Sequence, residues 1–124
     1  MTQEEAKEYL SSYKDYANRF EYIENKVLNI HSYDYQTVRG SNGTHKNQND
    51  YIQIKDHCLQ EMAEIRADID KVGKSAYREV LFYKYCELMN VYDIADLMGY
   101  SIGTVRKFLW LATKEFAKVM TTGE

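Results

Sequence analysis

Residues 91–110 read VYDIADLMGYSIGTVRKFLW, a pattern typical of two helices joined by a tight turn. Ala95 has the small side chain that lets a second helix approach the first closely. Gly99, four residues later, can adopt the left-handed backbone conformation that turns the chain between the helices. Ser101 is placed to cap the second helix, because its hydroxyl can accept a hydrogen bond from an orphan backbone N–H. The stretch therefore predicts a helix-turn-helix.

The apolar residues of this stretch predict that both helices face one shared core. They recur at helical spacing, and they are Ile94, Met98, Tyr100, Val105 and Phe108. Upstream, residues 76–89 predict another amphipathic helix, with Gly73 ending the helix before it and Ser75 capping it. Downstream, we expect the last helix to continue to about Val119.

Two long helices with heptad-spaced apolar residues are predicted in the N-terminal half, over residues 2–30 and 51–72. Thr2 and Glu5 have the spacing of a capping box at the start of the first helix. A polar loop over residues 31–50 separates the two helices, and it is long for a connection inside a compact domain. Two such helices either fold back as an antiparallel hairpin or pair across a dimer, and the pattern favours neither.

The predicted organisation has two parts. Residues 1–72 form an acidic helical arm for oligomerisation or for binding a partner, and residues 73–120 form the helix-turn-helix domain. Glu24 and Lys55 interrupt the apolar seams of the arm at the ends nearest the loop. The predicted fold class is all-α: a long, coiled-coil-like hairpin followed by a C-terminal helix-turn-helix.

The composition agrees with this fold class and bounds the function. The chain has 124 residues, of which 44% are hydrophobic, and it contains no proline, so long helices are favoured over disorder or a many-stranded sheet. The opening MTQEEAKEYL lacks the pattern of a signal peptide, and no apolar run approaches the ~18 residues of a membrane span. Cys58 and Cys86 lie in apolar helical patterns and predict buried free thiols. We expect a cytoplasmic protein.

The charges are distributed unevenly along the chain. The net charge is −3, but residues 1–72 hold nine Lys or Arg against thirteen Asp or Glu, whereas residues 73–124 hold seven against six. Between residues 101 and 118 the cations are Arg106, Lys107, Lys114 and Lys118, and Glu115 is the one acidic residue. This concentration predicts contact with the DNA backbone. Because the patch is modest, we expect a dimer or a larger assembly to supply the remaining affinity.

The predicted DNA-binding residues all belong to the second helix of the motif or to its cap. They are Ser101, Ile102, Thr104, Arg106, Lys107, Trp110, Lys114 and Lys118. Ser101 and Thr104 are expected to anchor phosphates near the start of the helix. Arg106 and Lys107 are expected to reach bases and backbone. Lys114 and Lys118 add peripheral electrostatic contacts.

The run of residues 77–116 resembles region 4 of bacterial sigma factors. The resemblance rests on D-I-A-D-L-M-G-Y-S for the first helix and turn, T-V-R-K-F for the second helix, and the long apolar tail after it. It implies that the second helix enters the major groove of a promoter. Together with the predicted hairpin and loop, the chain resembles small ArpU-type and RinA-type regulators encoded by phages and prophages. That likeness implies transcription control of phage genes, with RNA polymerase as a second partner.

Two positions depart from the sigma pattern. Region 4 begins its recognition helix with polar or charged side chains, whereas this chain has Ile102 and Gly103. Ile102 can contact thymine methyl groups, while Gly103 lowers helix propensity and offers no side chain. Trp110 lies in the consecutive apolar run 108–111. Such a run predicts that Trp110 is buried in the core or in an interface, in preference to stacking on DNA. Because Ile102 and Gly103 replace the polar side chains that would read base edges, we expect loose sequence specificity.

Two other function classes are compatible with the same pattern. A phage small terminase subunit also combines a helix-turn-helix with a coiled coil, and it would form rings. A protein-binding module, such as an inhibitor of RNA polymerase, would keep the fold without the DNA activity. The Ile102–Gly103 pair and the acidic net charge keep this last interpretation open.

No enzyme chemistry is predicted. The nearest approach to a metal set is His31, Asp34, His45, His57 and Cys58, and their spacings match no zinc signature. No nucleophile–base pair, phosphate-binding glycine loop or carboxylate pair is evident. We expect neither a metal nor a cofactor.

Overall fold

The computed structural model describes residues 1–32 and 48–122, and only the backbone of residues 27–32 and 48. Over these ranges the chain is all-α, as predicted, with five α-helices and no strand. The helices are α1 (Gln3–Ser32), α2 (Gln48–Ile69), α3 (Ser75–Leu81), α4 (Val91–Met98) and α5 (Ile102–Thr122). The middle of the predicted loop, residues 33–47, lies outside the described residues.

The start of α1 confirms the predicted capping box. The backbone N–H of Glu5 donates to Thr2 Oγ1 at 3.1 Å, and the backbone N–H of Thr2 donates to Glu5 Oε1 at 2.8 Å. The two bonds satisfy donors that the first turn of a helix leaves without an intrahelical partner. The hydrogen bond from the Thr2 backbone also lowers the pKa of the Glu5 carboxyl, because it stabilises the charged form.

The described residues divide into two compact units, and Asp15–Met62 forms one of them. Here Tyr16 meets His57 edge-on, and Lys55 Nζ lies 3.8 Å from Glu24 Oε2. Because the later residue of α1 meets the earlier residue of α2, the two segments run antiparallel within one chain. Glu24 and Lys55, which interrupt the apolar seams, thus form an ion pair with each other.

The other unit comprises Met1–Lys14 and Ala63–Glu124. The remaining parts of α1 and α2 are again antiparallel here, with Tyr9 Oη donating to Asp68 and Arg66 Nη1 donating to Tyr13 Oη at 3.1 Å. The core of this unit is apolar and draws on all five helices. Its fully buried members include Ala6, Leu10, Ile65, Ile69, Val72, Val80, Leu81, Ile94, Val105, Ala112 and Phe116.

The segment after α2 differs from the predicted single helix over residues 76–89. Lys74, and not Ser75, occupies the N-cap position of α3, and its side chain makes no capping bond. Instead, the Arg78 guanidinium holds the turn, since Nη1 donates to the carbonyls of Val72 at 2.7 Å and Gly73 at 2.9 Å.

The α-helical hydrogen bonding of α3 ends at Leu81 and is replaced by a π-helical turn over Phe82–Cys86. The Glu87 N–H donates to the Phe82 carbonyl at 3.0 Å, a bond five residues back. Leu88 then adopts a φ of 58°, which ends the helix before Met89. The helix predicted over residues 76–89 is therefore present through Cys86, although its last turn is π-helical, and the prediction is wrong for residues 87–89.

The two cysteines are free thiols, as predicted. Cys58 is buried, whereas Cys86 at the end of the π-helical turn is half-buried. Desolvation raises the pKa of Cys86 to about 11, although the Arg66 charge opposes the shift. Within the described parts of the chain, no helix is long and apolar enough to cross a membrane.

Candidate nucleic-acid interface

The turn between α4 and α5 follows local rules of helix capping. Asn90 caps α4, with its Oδ1 accepting from the Asp93 N–H at 2.8 Å. At the other end Gly99 has φ 73° and ψ 28°, the left-handed conformation that was predicted. The N–H of Tyr100 donates to the Ala95 carbonyl at 3.0 Å and closes the turn.

Ser101 caps α5 as predicted, and Thr104 is bound to it. The Thr104 N–H donates to Ser101 Oγ at 3.1 Å, and Ser101 Oγ donates in turn to Thr104 Oγ1 at 2.8 Å. One hydrogen bond between the two hydroxyls uses one of their two protons, so the pair keeps the other to donate to an external phosphate oxygen.

The packing of α4 on α5 largely matches the predicted shared core. Ile94 and Val105 are fully buried, and Ala95 is buried where the helices approach. Phe108 is half-buried. Tyr100 is 37% exposed and lies at the edge, its ring meeting that of Phe108 edge-on at 5.3 Å between centroids.

The outward face of α5 carries the predicted cations. We call this face the basic stripe; its members are Arg106, Lys107, Trp110, Lys114 and Lys118, and all five are exposed. Spacings of three and four residues keep these side chains on one side of the helix, over about 18 Å of its axis. The opposite side is packed, with Val105, Ala112 and Phe116 fully buried. None of the four cations forms a salt bridge with any residue that the structure describes.

Trp110 does not lie in the core of this chain, which corrects one interpretation of the apolar run 108–111. Its side chain is 52% exposed, and Lys114 Nζ lies 5.3 Å from the centre of the ring. A helix that packs on one side cannot bury four consecutive residues, and Trp110 falls on the outward side between Lys107 and Lys114. The aromatic ring is therefore part of the basic stripe.

Lys74 is a further cation near α5 that the sequence analysis did not single out. Its Nζ lies 4.7 Å from the centre of the Tyr77 ring and 5.7 Å from that of Phe108. The packing of α3 on α5 brings it there. No local pattern connects Lys74 with a helix that begins 28 residues later.

The outward face of α4 has a different character. It combines two apolar side chains, Tyr92 at 58% and Leu97 at 57% exposure, with the exposed carboxylates Asp93 and Asp96. We call these four residues the α4 face. The negative charge of the α4 face disfavours contact with phosphates. The cationic surface thus lies on α5 and the anionic surface on α4.

The remaining predicted contact residue, Ile102, is half-buried at the first turn of α5.

No group of three His, Cys, Asp or Glu side chains within the described ranges is arranged to hold a metal ion. His31 and His45 lie outside the residues whose side chains are described.

No protein-family model, curated protein or solved structure matches this chain. The resemblance to sigma region 4 and to the phage regulators therefore stays a prediction from the sequence.

Proposed function

We propose that this chain is a DNA-binding transcription regulator that reads the major groove with α5, the helix that starts just after Ser101. The observation that carries the proposal is the basic stripe. It sets an exposed indole and four cations, none in a salt bridge with a described residue, on the solvent face of a helix whose other face is packed. Unpaired cations on a rigid element are what contact with phosphates requires, because each contact releases a counterion from the DNA.

In this proposal the residues of α5 have different roles, which depend on their position along the helix. Ser101 and Thr104 share one hydrogen bond, and the remaining hydroxyl proton of the pair is donated to a phosphate near the start of the helix. Arg106 and Lys107, on the next turn, reach bases and backbone. Lys114 and Lys118 lie two and three helical turns further along α5. Because a straight helix diverges from the curved major groove along its length, these two lysines contact only the DNA backbone. Lys74 adds a cation beside Phe108.

We further propose that the regulated genes belong to a phage or prophage, that the protein acts in the cytoplasm, and that RNA polymerase is a second partner. The resemblance of residues 77–116 to sigma region 4 supports this assignment. The basic stripe alone is a small footprint, which supports action as a dimer, since pairing doubles the number of phosphate contacts.

The proposal is tested by removing two cations from the basic stripe and measuring DNA affinity over a salt series. The double substitution Arg106→Ala with Lys107→Ala removes two phosphate contacts, so the negative slope of log K against log salt becomes less steep by about 1.8. Lys7→Ala with Lys14→Ala is the matched control, because it removes the same charge from exposed positions on α1.

The control variant should keep the slope of the unsubstituted protein, which separates a local contact from a change in net charge. Absence of any salt-dependent DNA binding by the unsubstituted protein would overturn the proposal.

A second candidate function is a protein-binding module, and the α4 face is the observation that favours it. Two large apolar side chains beside two carboxylates suit a partner surface that is apolar and basic. In that candidate the α4 face, and not the basic stripe, carries the activity. The two functions are therefore separable by substitutions on neighbouring helices.

A further inference from the structure

We propose that Gly103 is the point at which DNA comes closest to the backbone of α5, and that the preference for one DNA sequence depends on the absence of a side chain there. The inference rests on the proposed DNA-binding function and names a residue that determines its specificity.

The fold itself does not need a glycine at this position. Gly103 lies within α5, and its φ is outside the left-handed region, unlike Gly99 with φ 73°. A Cβ added at Gly103 would meet no neighbouring heavy atom within 4 Å. Alanine would also favour the helix more than glycine does. Neither backbone conformation nor internal packing therefore accounts for this glycine.

The location of Gly103 indicates what the missing side chain leaves open. It is exposed, and it stands one helical turn before Lys107 and two turns before Trp110, on the line of the basic stripe. It also belongs to the first turn of α5, and in helix-turn-helix proteins the first residues of the recognition helix meet the base edges. The glycine thus leaves bare backbone at the position where the proposed orientation brings DNA nearest.

Bare backbone at this position lets base edges approach to van der Waals distance. Ile102, its neighbour, then reaches thymine methyl groups. A side chain at residue 103 would hold the groove away from the first turn. The loss would be steric, so it should grow with side-chain size. It should also be larger on the preferred DNA than on unrelated DNA, because non-specific binding depends on phosphate contacts.

The test compares two glycines with equal free space. Gly73, between α2 and α3, also has no atom within 4 Å of an added Cβ and no left-handed φ, but it lies off α5. The variants are Gly103→Ala and Gly103→Leu, with Gly73→Ala and Gly73→Leu as matched controls. The probes are the duplex that the unsubstituted protein enriches from a random pool and a scrambled duplex of the same composition.

We expect Gly103→Ala to weaken binding to the enriched duplex roughly tenfold and Gly103→Leu to weaken it further, with a smaller loss on the scrambled duplex. The Tm of Gly103→Ala should equal or exceed that of the unsubstituted protein, which excludes damage to the fold. The Gly73 variants should stay within about twofold in affinity.

Three outcomes overturn the inference. If Gly103→Ala keeps its affinity within about twofold, DNA does not approach the helix closely at this point, although DNA binding still stands. If both duplexes lose affinity equally, Gly103 does not determine specificity. If the unsubstituted protein binds neither duplex, the proposed function is wrong, and the inference that rests on it is wrong as well.

Discussion

Gly99 and Gly103 lie four residues apart, and the reason for a glycine differs between the two positions. Gly99 has φ 73°, so a side chain there would be strained although the space around it is open. Gly103 has neither strain nor crowding. At the scale of single residues, the first glycine is explained by the fold, whereas we propose contact with DNA as the reason for the second.

We expect Gly99→Ala to lower the free energy of unfolding by roughly 1–2 kcal/mol, because alanine disfavours the left-handed conformation. Urea denaturation followed by circular dichroism measures the change. Gly73→Ala is the control, since Gly73 has the same open space without a left-handed φ. An unchanged unfolding free energy for Gly99→Ala would show that the turn between α4 and α5 does not need its left-handed residue.

At the scale of elements, α4 and α5 present surfaces of opposite charge. The basic stripe lies on α5, whereas the α4 face holds Asp93 and Asp96 between two exposed apolar side chains. Both helices contribute fully buried residues to the core, Ile94 from α4 and Val105 from α5. The pair can therefore contact DNA with one helix while the other remains open to a protein.

Substitution of the α4 face tests this division. We expect Tyr92→Ser with Leu97→Ser to leave DNA affinity within about twofold, because both side chains lie off the basic stripe. Fluorescence anisotropy on a labelled duplex measures the affinity, and Arg106→Ala with Lys107→Ala provides the comparison.

A loss of DNA affinity in the α4 variant as large as in the α5 variant would contradict separate surfaces. Binding to purified bacterial RNA polymerase that survives the α5 substitutions and disappears with the α4 substitutions would favour the protein-binding candidate.

At the scale of the whole molecule, charge and apolar surface both favour pairing of two chains. The net charge is −3, so one basic stripe acts against an acidic background. On α2, Ile52 and Leu59 are exposed at a spacing of two helical turns, on a side away from buried Cys58. A repeated apolar position of this kind is suited to contact with another helix.

We expect light scattering to give twice the 14.6 kDa of one chain at the concentrations that bind DNA. Pairing buries the exposed apolar positions of α2 and doubles the cationic surface. Ile52→Ser with Leu59→Ser should shift the mass to that of one chain, with Tyr22→Ser as a control on α1. A monomer at DNA-binding concentrations would exclude the dimer, and a ring of many subunits would favour the alternative of a phage small terminase subunit.

Local rules made much of the fold predictable. The capping box of Thr2 and Glu5, the left-handed Gly99 and the cap at Ser101 each depend on residues within four positions of one another. Heptad spacing likewise predicted the buried residues of α1 and α2, Leu10 and Ile65 among them. The cations of the basic stripe were predictable for the same reason, because helical spacing alone determines that they share a side.

The remaining features depended on contacts between distant residues. The π-helical turn at Phe82–Cys86 has no apolar period of its own that would distinguish it from an α-helix. The apolar run 108–111 predicted burial of Trp110 in the core or in an interface, whereas the packing of α5 leaves it exposed on this chain. Lys74 reaches Phe108 only because α3 lies against α5.

The sequence by itself therefore determined α1, α2, α4 and α5, the caps at Thr2 and Ser101 and the charged side of α5, since these are set by φ preferences, short hydrogen bonds and a period of 3.6 residues. The tertiary structure decided which sides are covered, and so it separated the basic stripe from the α4 face and left Gly103 in open space. The physical reason is that burial is a property of neighbours that are remote in the chain, and no local pattern specifies which neighbours those are.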